Sequence, residues 1–432
     1  MTTDTLRRYD AAAPAFSAPG DVDRLQRLGL VAGGVGALLC LLGLFLSPAY
    51  FFRGWLVGFV FWTGLTAGCL ALLMLSHLSG GSWGVVIRRV MEAASRTWPV
   101  MLLLSVPLFF GMQELYEWAR PEIVRGDELL QHKSPYLNVP FFWIRMVLYF
   151  AVWGGLSWTL SRMSLRQDRG DDPGITRRMQ VVAAPGLIAY CLLVTFAAVD
   201  WLMSLQPHWF STIYGVYLIG SQGLASLAFL ILVALFLYRR EPMSRVLQPR
   251  HFHDWGKLMF AFVMLWAYFS WSQFLITWAG NLPEEIPFYL KRMQGGWGWL
   301  SIGIALFHFA VPFAVLLSRD IKRKPGILAW VAAFILIMRV VELFWQVEPA
   351  FQHGLPGAVA GQPGVTHDIS PAAAASHAVE AIHPQFWWLY LAGPLAIGGA
   401  WLFWFARELK SRPLLPVQEP YLPEAIAHES HH

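Results

Sequence analysis

Charge is scarce in this 432-residue chain. Asp, Glu, Lys and Arg make up 14% of it, hydrophobic residues 56%, and mean hydropathy is +0.48. Soluble domains carry about a quarter charged residues, so water is excluded as the solvent of most of the chain. Cysteine is scarcer still: Cys40, Cys69 and Cys191 are the only three. Each lies in an apolar run, with no CxxC or CxxCH spacing. That argues against a cysteine-held iron–sulfur cluster, a covalent c-type haem or a disulfide framework, and leaves small residues at helix contacts. Histidine is nearly missing from the interior of the apolar runs, where His308 stands alone; His77 and His208 sit at boundaries. A b-type haem held by two histidines on facing helices, or a haem–copper centre, therefore lacks its ligands.

Long apolar runs are what the chain has in abundance. A membrane-crossing helix needs about 20 mostly apolar residues, and ten segments qualify: Leu28–Leu46, Gly54–Leu75, Trp98–Gln113, Pro140–Leu160, Met179–Met203, Thr212–Tyr238, Leu258–Trp278, Trp297–Leu317, Ile327–Gln346 and Phe386–Phe405. The third is short as written and is expected to continue past Gln113. Ser211 can cap the sixth, Pro140 suits the first position of the fourth, and boundary tryptophans suit interfacial anchoring. Pro107, Pro185 and Pro312 predict kinks, tolerated where neighbouring helices satisfy the freed carbonyls.

The net charge of +5 says less than its placement. Most of the 32 lysines and arginines fall in the tails and in alternate loops; on the opposite side are only Arg53, Arg120, Arg125, Lys133, Lys291 and Arg292. By the positive-inside bias both termini are cytoplasmic and the number of spans is even. The first run starts late, is of full membrane length and leads straight into another span, unlike a cleaved signal peptide. The expected organisation is a cytoplasmic tail over residues 1–27, a transmembrane domain over 28–406 and a cytoplasmic tail over 407–432. The expected setting is a plasma membrane, with loops 114–139, 279–296 and 347–385 outside. His353, His367, His377 and His383 in the last loop, and His428, His431 and His432 in the tail, read as solvated histidines rather than metal ligands. The same holds for His251 and His253.

Charges inside a span cost about 2.5–3.5 kcal/mol each on insertion scales, so each needs a reason. Arg145 lies near the outer end of the fourth span, Asp200 near that of the fifth, and Arg339 with Glu342 in the outer half of the ninth. His308 is midway along the eighth, where a hydrogen-bonded packing role stands ahead of a functional one, and Glu114 and Glu117 extend the third at its outer boundary. Arg339 and Glu342, three apart, share a helix face and can pair, either as a structural ion pair or as part of a site. Ser270, Gln273, Thr277 and Asn281 form a polar stripe on the seventh span with Glu284 beyond it, suited to helix–helix contact or to lining a path. Arg145, Asp200, Gln273, Arg339 and Glu342 are expected to form one outer-side pocket, above an inner half that reads as almost purely apolar. A pocket opening to the outer face suits quinone chemistry, an apolar cleft for the tail with a few polar groups for the head, and an outer half-channel that conducts protons fits the same residues.

Three stretches are more specific. They are Asp200-Trp-Leu-Met-Ser-Leu-Gln-Pro-His-Trp-Phe-Ser-Thr-Ile-Tyr-Gly-Val-Tyr217, Trp271-Ser-Gln-Phe-Leu-Ile-Thr-Trp-Ala-Gly-Asn-Leu-Pro-Glu-Glu285 and His132-Lys-Ser-Pro-Tyr-Leu-Asn-Val-Pro-Phe-Phe-Trp-Ile-Arg145. With Ser318-Arg-Asp-Ile-Lys-Arg-Lys324, they closely resemble the F subunit of alternative complex III, a quinol:cytochrome c or acceptor oxidoreductase. That subunit is of the NrfD/polysulfide-reductase-C-like membrane family, and the resemblance runs from about the second span to the ninth. It implies an all-α membrane fold of ten helices, two four-helix bundles plus two further helices. It also implies partners: an iron–sulfur subunit, multihaem cytochrome c subunits and a sibling NrfD-like membrane subunit. Lipid is the expected environment, and nucleic acid is not an expected partner. Quinone or quinol is the implied cofactor, here or in the sibling, with no haem or iron–sulfur in this chain.

On that reading Asp200 and Glu342 accept protons, Arg145 and Arg339 orient the head group, and Gln273, His308 and Asn281 help bind it. The alternatives are a structural anchor of the same complex, or a stand-alone transporter, which would place its polar groups at the midplane.

Overall fold

Ten long helices account for most of residues 17–170, 174–294, 296–352 and 384–427, which the computed structural model describes; no strand occurs among them. They are α1 (Asp21–Leu46), α2 (Pro48–Ser79), α3 (Arg88–Phe110), α4 (Val139–Asp168), α5 (Ile175–Trp201), α6 (Tyr214–Tyr238), α7 (Pro249–Gly280), α8 (Trp297–Leu317), α9 (Pro325–Val347) and α10 (Leu389–Lys410). All ten are long and apolar enough to cross a membrane. Large apolar side chains such as Leu30, Leu38, Phe45, Trp299 and Trp330 face outward, which suits lipid and not water. The chain is a multi-pass, all-α integral membrane protein.

Packing divides the helices as follows. α2, α3, α4 and α5 form one four-helix bundle, and α6, α7, α8 and α9 form a second. α6 lies against α2 and α5, and α9 against α2, which joins the two. α2 and α6 are buried nearly all round, as expected of helices that are apolar on every face. α1 and α10 pack together outside the bundles, with α10 lying on α2 and α3. The α1–α10 seam is made of glycine. A Cβ on Gly399 would stand 2.1 Å from the Gly33 nitrogen, and one on Gly36 would stand 2.4 Å from the Ala396 nitrogen. Backbones this close gain dispersion contacts along their length, the usual cohesion between helices in lipid.

One end of the bundle gathers the starts of odd-numbered helices and the ends of even-numbered ones. There Arg240 Nε bonds Asp21 at 2.7 Å and Lys410 Nζ bonds Asp23 at 2.6 Å. We call it the tail end and the opposite one the far end.

Several expected boundaries shift. α3 does not lengthen past Gln113 as one helix, since Met112–Leu115 is a separate turn. It extends the other way, to Arg88, and is interrupted before Trp98 and at Ser105, ahead of Pro99 and Pro107. Arg88, Arg89 and Arg96, which precede the apolar run from Trp98 and count among the loop charges of the tail side, thus belong to a spanning helix. Pro185 sits inside a continuous α5, while Pro312 follows a π-helical stretch, Ala305–Ala310, within α8. Ser211 does not cap α6, whose first turn follows Ile213; its hydroxyl binds Gln273 instead. α4 is capped by Asn138, whose Oδ1 accepts from the Phe141 N–H at 2.9 Å. The histidines at 353, 367, 377, 383, 428, 431 and 432 lie outside the described residues.

Candidate functional site

Glu342 is fully buried near the far end of the second bundle. A carboxylate there is tolerable only if its lone pairs and charge are met. Its Oε1 accepts from Trp266 Nε1 at 2.9 Å and Gln346 Nε2 at 3.3 Å, and from the Tyr217 hydroxyl. Its Oε2 faces Arg339 Nη1 at 2.6 Å, the i,i+3 partner expected on α9. Gln346 Nε2 also donates to the Tyr217 hydroxyl at 3.1 Å, and the Tyr214 hydroxyl donates to Gln346 Oε1 at 3.0 Å. Every donor in this chain therefore points toward Glu342, the polarity that stabilises a negative charge.

His308 completes the cluster. It is fully buried, its Nε2 stands 3.5 Å from Glu342 Oε2, and its ring meets Trp266 edge-on at 4.4 Å. Neither of its ring nitrogens has a hydrogen-bond partner among the described residues. A buried imidazole left in this way is costly unless something else binds it. It also lies in the π-helical stretch of α8, a local irregularity common at functional sites. One turn toward the tail end, Val311, Pro312 and Val315 of α8 with Trp330, Val331 and Phe334 of α9 line an apolar groove of about 220 Å³.

The first bundle holds a separate pair. Arg145 Nε and Nη2 reach the two oxygens of Asp200 at 2.8 and 2.7 Å, and the Tyr149 hydroxyl donates to Asp200 Oδ2 at 2.6 Å. Arg145 Nη1 also binds the Tyr136 carbonyl at 2.9 Å, with its guanidinium 3.9 Å from the Tyr136 ring centre. This is a planar fork fully matched to its acceptors.

The expected group of five is thus divided. Arg145 with Asp200 belongs to one bundle, and Arg339 with Glu342 and His308 to the other. Gln273 is half-buried and occupied by Ser211 and by Thr277, to whose Oγ1 it donates at 3.2 Å. Asn281 is exposed in the left-handed region, φ 47°, and ends α7.

Other buried polar groups escaped the sequence reading because they flank the apolar runs. Arg53 pairs with Glu348 at 3.4 Å, and Glu348 also takes the Tyr390 hydroxyl, tying α2, α9 and α10 together at the far end. Arg292, 1% exposed, donates to the Phe288, Trp345 and Gln346 carbonyls and to Gln206 Oε1, at 2.6–3.1 Å. Burial lowers its pKa to about 9, which leaves it charged at neutral pH.

At the tail end Arg88, Arg89, Glu92, Asp168 and Glu419 are all buried in one ion network. The apolar inner half expected above is therefore corrected. On α4 the signal was legible: Arg145, Tyr149, Trp153, Ser157, Ser161, Ser164 and Asp168 recur every three or four residues, and all are buried.

No family model matches the chain, and no curated protein matches it.

Proposed function

We propose that this chain is an integral membrane subunit of a respiratory quinol:acceptor oxidoreductase of the alternative complex III type, with His308 and Glu342 as its proton-accepting dyad. The observation that carries the reading is a fully buried imidazole with no hydrogen bond to either nitrogen among the described residues, its Nε2 3.5 Å from a buried carboxylate and one helical turn from an apolar groove. Those residues fit a quinone. The groove suits a polyisoprenoid tail, and His308 offers the polar contact a ring hydroxyl needs. A bound quinol supplies the electrons and protons.

The protein's own part is to hold the head group at His308, to take up a proton there or at Glu342, and to keep water away from it. Arg339 keeps the carboxylate's charge balanced, while Tyr217 and Trp266 hold its orientation. On this reading the chain sits in a bacterial plasma membrane with both termini cytoplasmic and the dyad toward the outer face, an orientation that the positive-inside bias supports. Electrons then pass to iron–sulfur and multihaem cytochrome c subunits outside this chain, beside a sibling membrane subunit.

A structural anchor is the second reading. It is favoured by Glu342 Oε1, which already has three donors, and by Arg339, which already balances the charge. Quinol oxidation by the assembled complex carrying His308→Gln separates the two. Lost turnover with normal assembly supports the dyad, and unchanged turnover leaves only the anchor.

A further inference from the structure

The tail end of the first bundle contains a second buried ionic centre, built partly by the chain's C-terminal segment. α3 contributes Arg88, Arg89 and Glu92, α4 contributes Asp168, and the segment after α10 contributes Arg412 and Glu419. Arg89 meets Glu92 at 2.7 Å and also pairs with Asp168. Arg88 pairs with Glu419, and Arg412 stands 3.6 Å from Glu92. Three cations thus face three carboxylates, and Glu419 is the one anion the C-terminal segment supplies.

That segment is seated as a strap across both bundles. Its own Leu414, Leu415, Leu422 and Ala425 are buried. Arg412 Nη1 binds the Ser161 carbonyl of α4 at 3.2 Å. From α7, Arg250 Nη2 binds the Ala425 and Ile426 carbonyls at 2.7 and 3.1 Å.

The centre is not saturated by protein. Glu92 Oε1, Glu419 Oε1, Arg88 Nε, Arg89 Nε, the Ser161 hydroxyl and His77 Nε2 are buried with no hydrogen-bond partner among the described residues. Ser161 is wholly buried and His77 is 4% exposed. Buried polar atoms concentrated in this way are satisfied by internal water, which takes two to four polar partners. One turn on from Ser161, Ser157 of α4 meets Ser95 of α3 at 3.0 Å, and Thr97 of α3 meets Thr66 of α2 at 2.7 Å. Hydroxyls accept and donate at once, so each pair offers water or a proton a polar contact that plain apolar packing does not.

We propose that this centre is a water-holding inlet for cytoplasmic water and protons into the first bundle, and that the C-terminal strap is its seal, with Glu419 as the plug. Lifting the strap takes Glu419 from Arg88 and Arg412 from Glu92, so two buried ionic contacts are lost as the inlet opens, and the closed form is the resting one. The inference is independent of the quinol reading, since it concerns the other bundle and the opposite end.

The test uses the full chain in lipid nanodiscs, with Cys40, Cys69 and Cys191 replaced by alanine and a reporter Ser161→Cys. A small charged methanethiosulfonate reagent is the probe, and Ser226→Cys, buried between α6 and α2, is the control. With the strap intact, labelling at position 161 is expected to be as slow as at 226. Glu419→Arg, which faces Arg88 with a like charge, is expected to speed labelling at 161 by about tenfold or more, as when local opening loses a buried ion pair. The control should not change. Glu419→Gln, nearly isosteric, should give a smaller increase in the same direction. Equal labelling with and without the substitutions overturns the seal, and fast labelling of the intact chain overturns the closed resting form. Faster labelling at both 161 and 226 also overturns the proposal, because the strap would then be a general staple.

Discussion

Arg145 and Asp200 meet as a two-pronged ion pair between α4 and α5, both prongs under 3 Å, with Tyr149 adding a third hydrogen bond to the carboxylate. Removing one partner would strand the other's charge in a buried site, a loss of about 3–5 kcal/mol. Arg145→Met or Asp200→Asn alone should therefore destabilise the first bundle by that order. The double substitution should cost clearly less than the sum, and Arg145→Lys should fall between because ammonium cannot fork. Steric-trap or thermal unfolding in detergent reads the cycle, and strict additivity would show that the pair is not coupled.

The proposed role of His308 and Glu342 predicts a separation of turnover from assembly. General-base groups contribute about 10²–10⁴-fold to rate, so His308→Gln and Glu342→Gln should each lower quinol oxidation at least toward the lower figure. Blue-native gels should show intact complex for His308→Gln. Glu342→Gln leaves Arg339 uncompensated and is expected to weaken assembly as well. A parallel loss of assembly and activity in both variants would favour anchorage.

The α1–α10 seam tolerates no side chain at Gly399, where a Cβ would meet the α1 backbone at 2.1 Å. Gly399→Leu should force the helices apart and cost more than the 1–3 kcal/mol or so typical of overpacking. Gly34→Ala, with nothing within 4 Å of the added carbon, should be near neutral. Cysteine cross-linking across the seam and melting temperature check both, and equal effects would refute the close-packing account.

Arg292 joins the Phe288 turn to the end of α9 through backbone carbonyls, and to the Gln206 loop through the Gln206 side-chain oxygen. Arg292→Met would leave those buried carbonyls unpaired at about 1–3 kcal/mol each, without full additivity. The far end of the second bundle should then show faster amide exchange over residues 286–293 and 345–348, while α2–α5 stay unchanged. Uniform exchange would argue against a local clasp.

Asn281 holds φ 47° at the end of α7, a conformation glycine adopts freely and a β-branched residue resists. Asn281→Gly should leave stability and quinol oxidation within error, whereas Asn281→Val should destabilise the α7 end by about 1 kcal/mol or more. Loss of activity in the glycine variant with normal folding would restore Asn281 to a binding role.

The ten spans were legible because membrane crossing is a property of one helix at a time: an apolar run of sufficient length satisfies its own backbone. The pairing of Arg339 with Glu342 was legible for the same reason, being three residues apart on one helix. Arg88 and Glu92 were hidden by the same rule, since a charged first turn lowers the local hydropathy and reads as loop. The serines of α4 are weakly polar and so raise no alarm in a hydropathy count, though their spacing marks one face.

What the chain determined by itself was the set of helices, their alternation across the membrane and the short list of charges that require a partner. Which charge meets which was decided only in three dimensions. Asp200 lies 55 residues from Arg145 and Glu419 lies 331 from Arg88, and nothing local links either pair. Only the packing of α2 and α6 against each other's bundles sets Arg145–Asp200 apart from the Glu342 cluster. The reason is that burial of an ion pair depends on the relative placement of whole helices, a long-range quantity that hydropathy and periodicity do not contain.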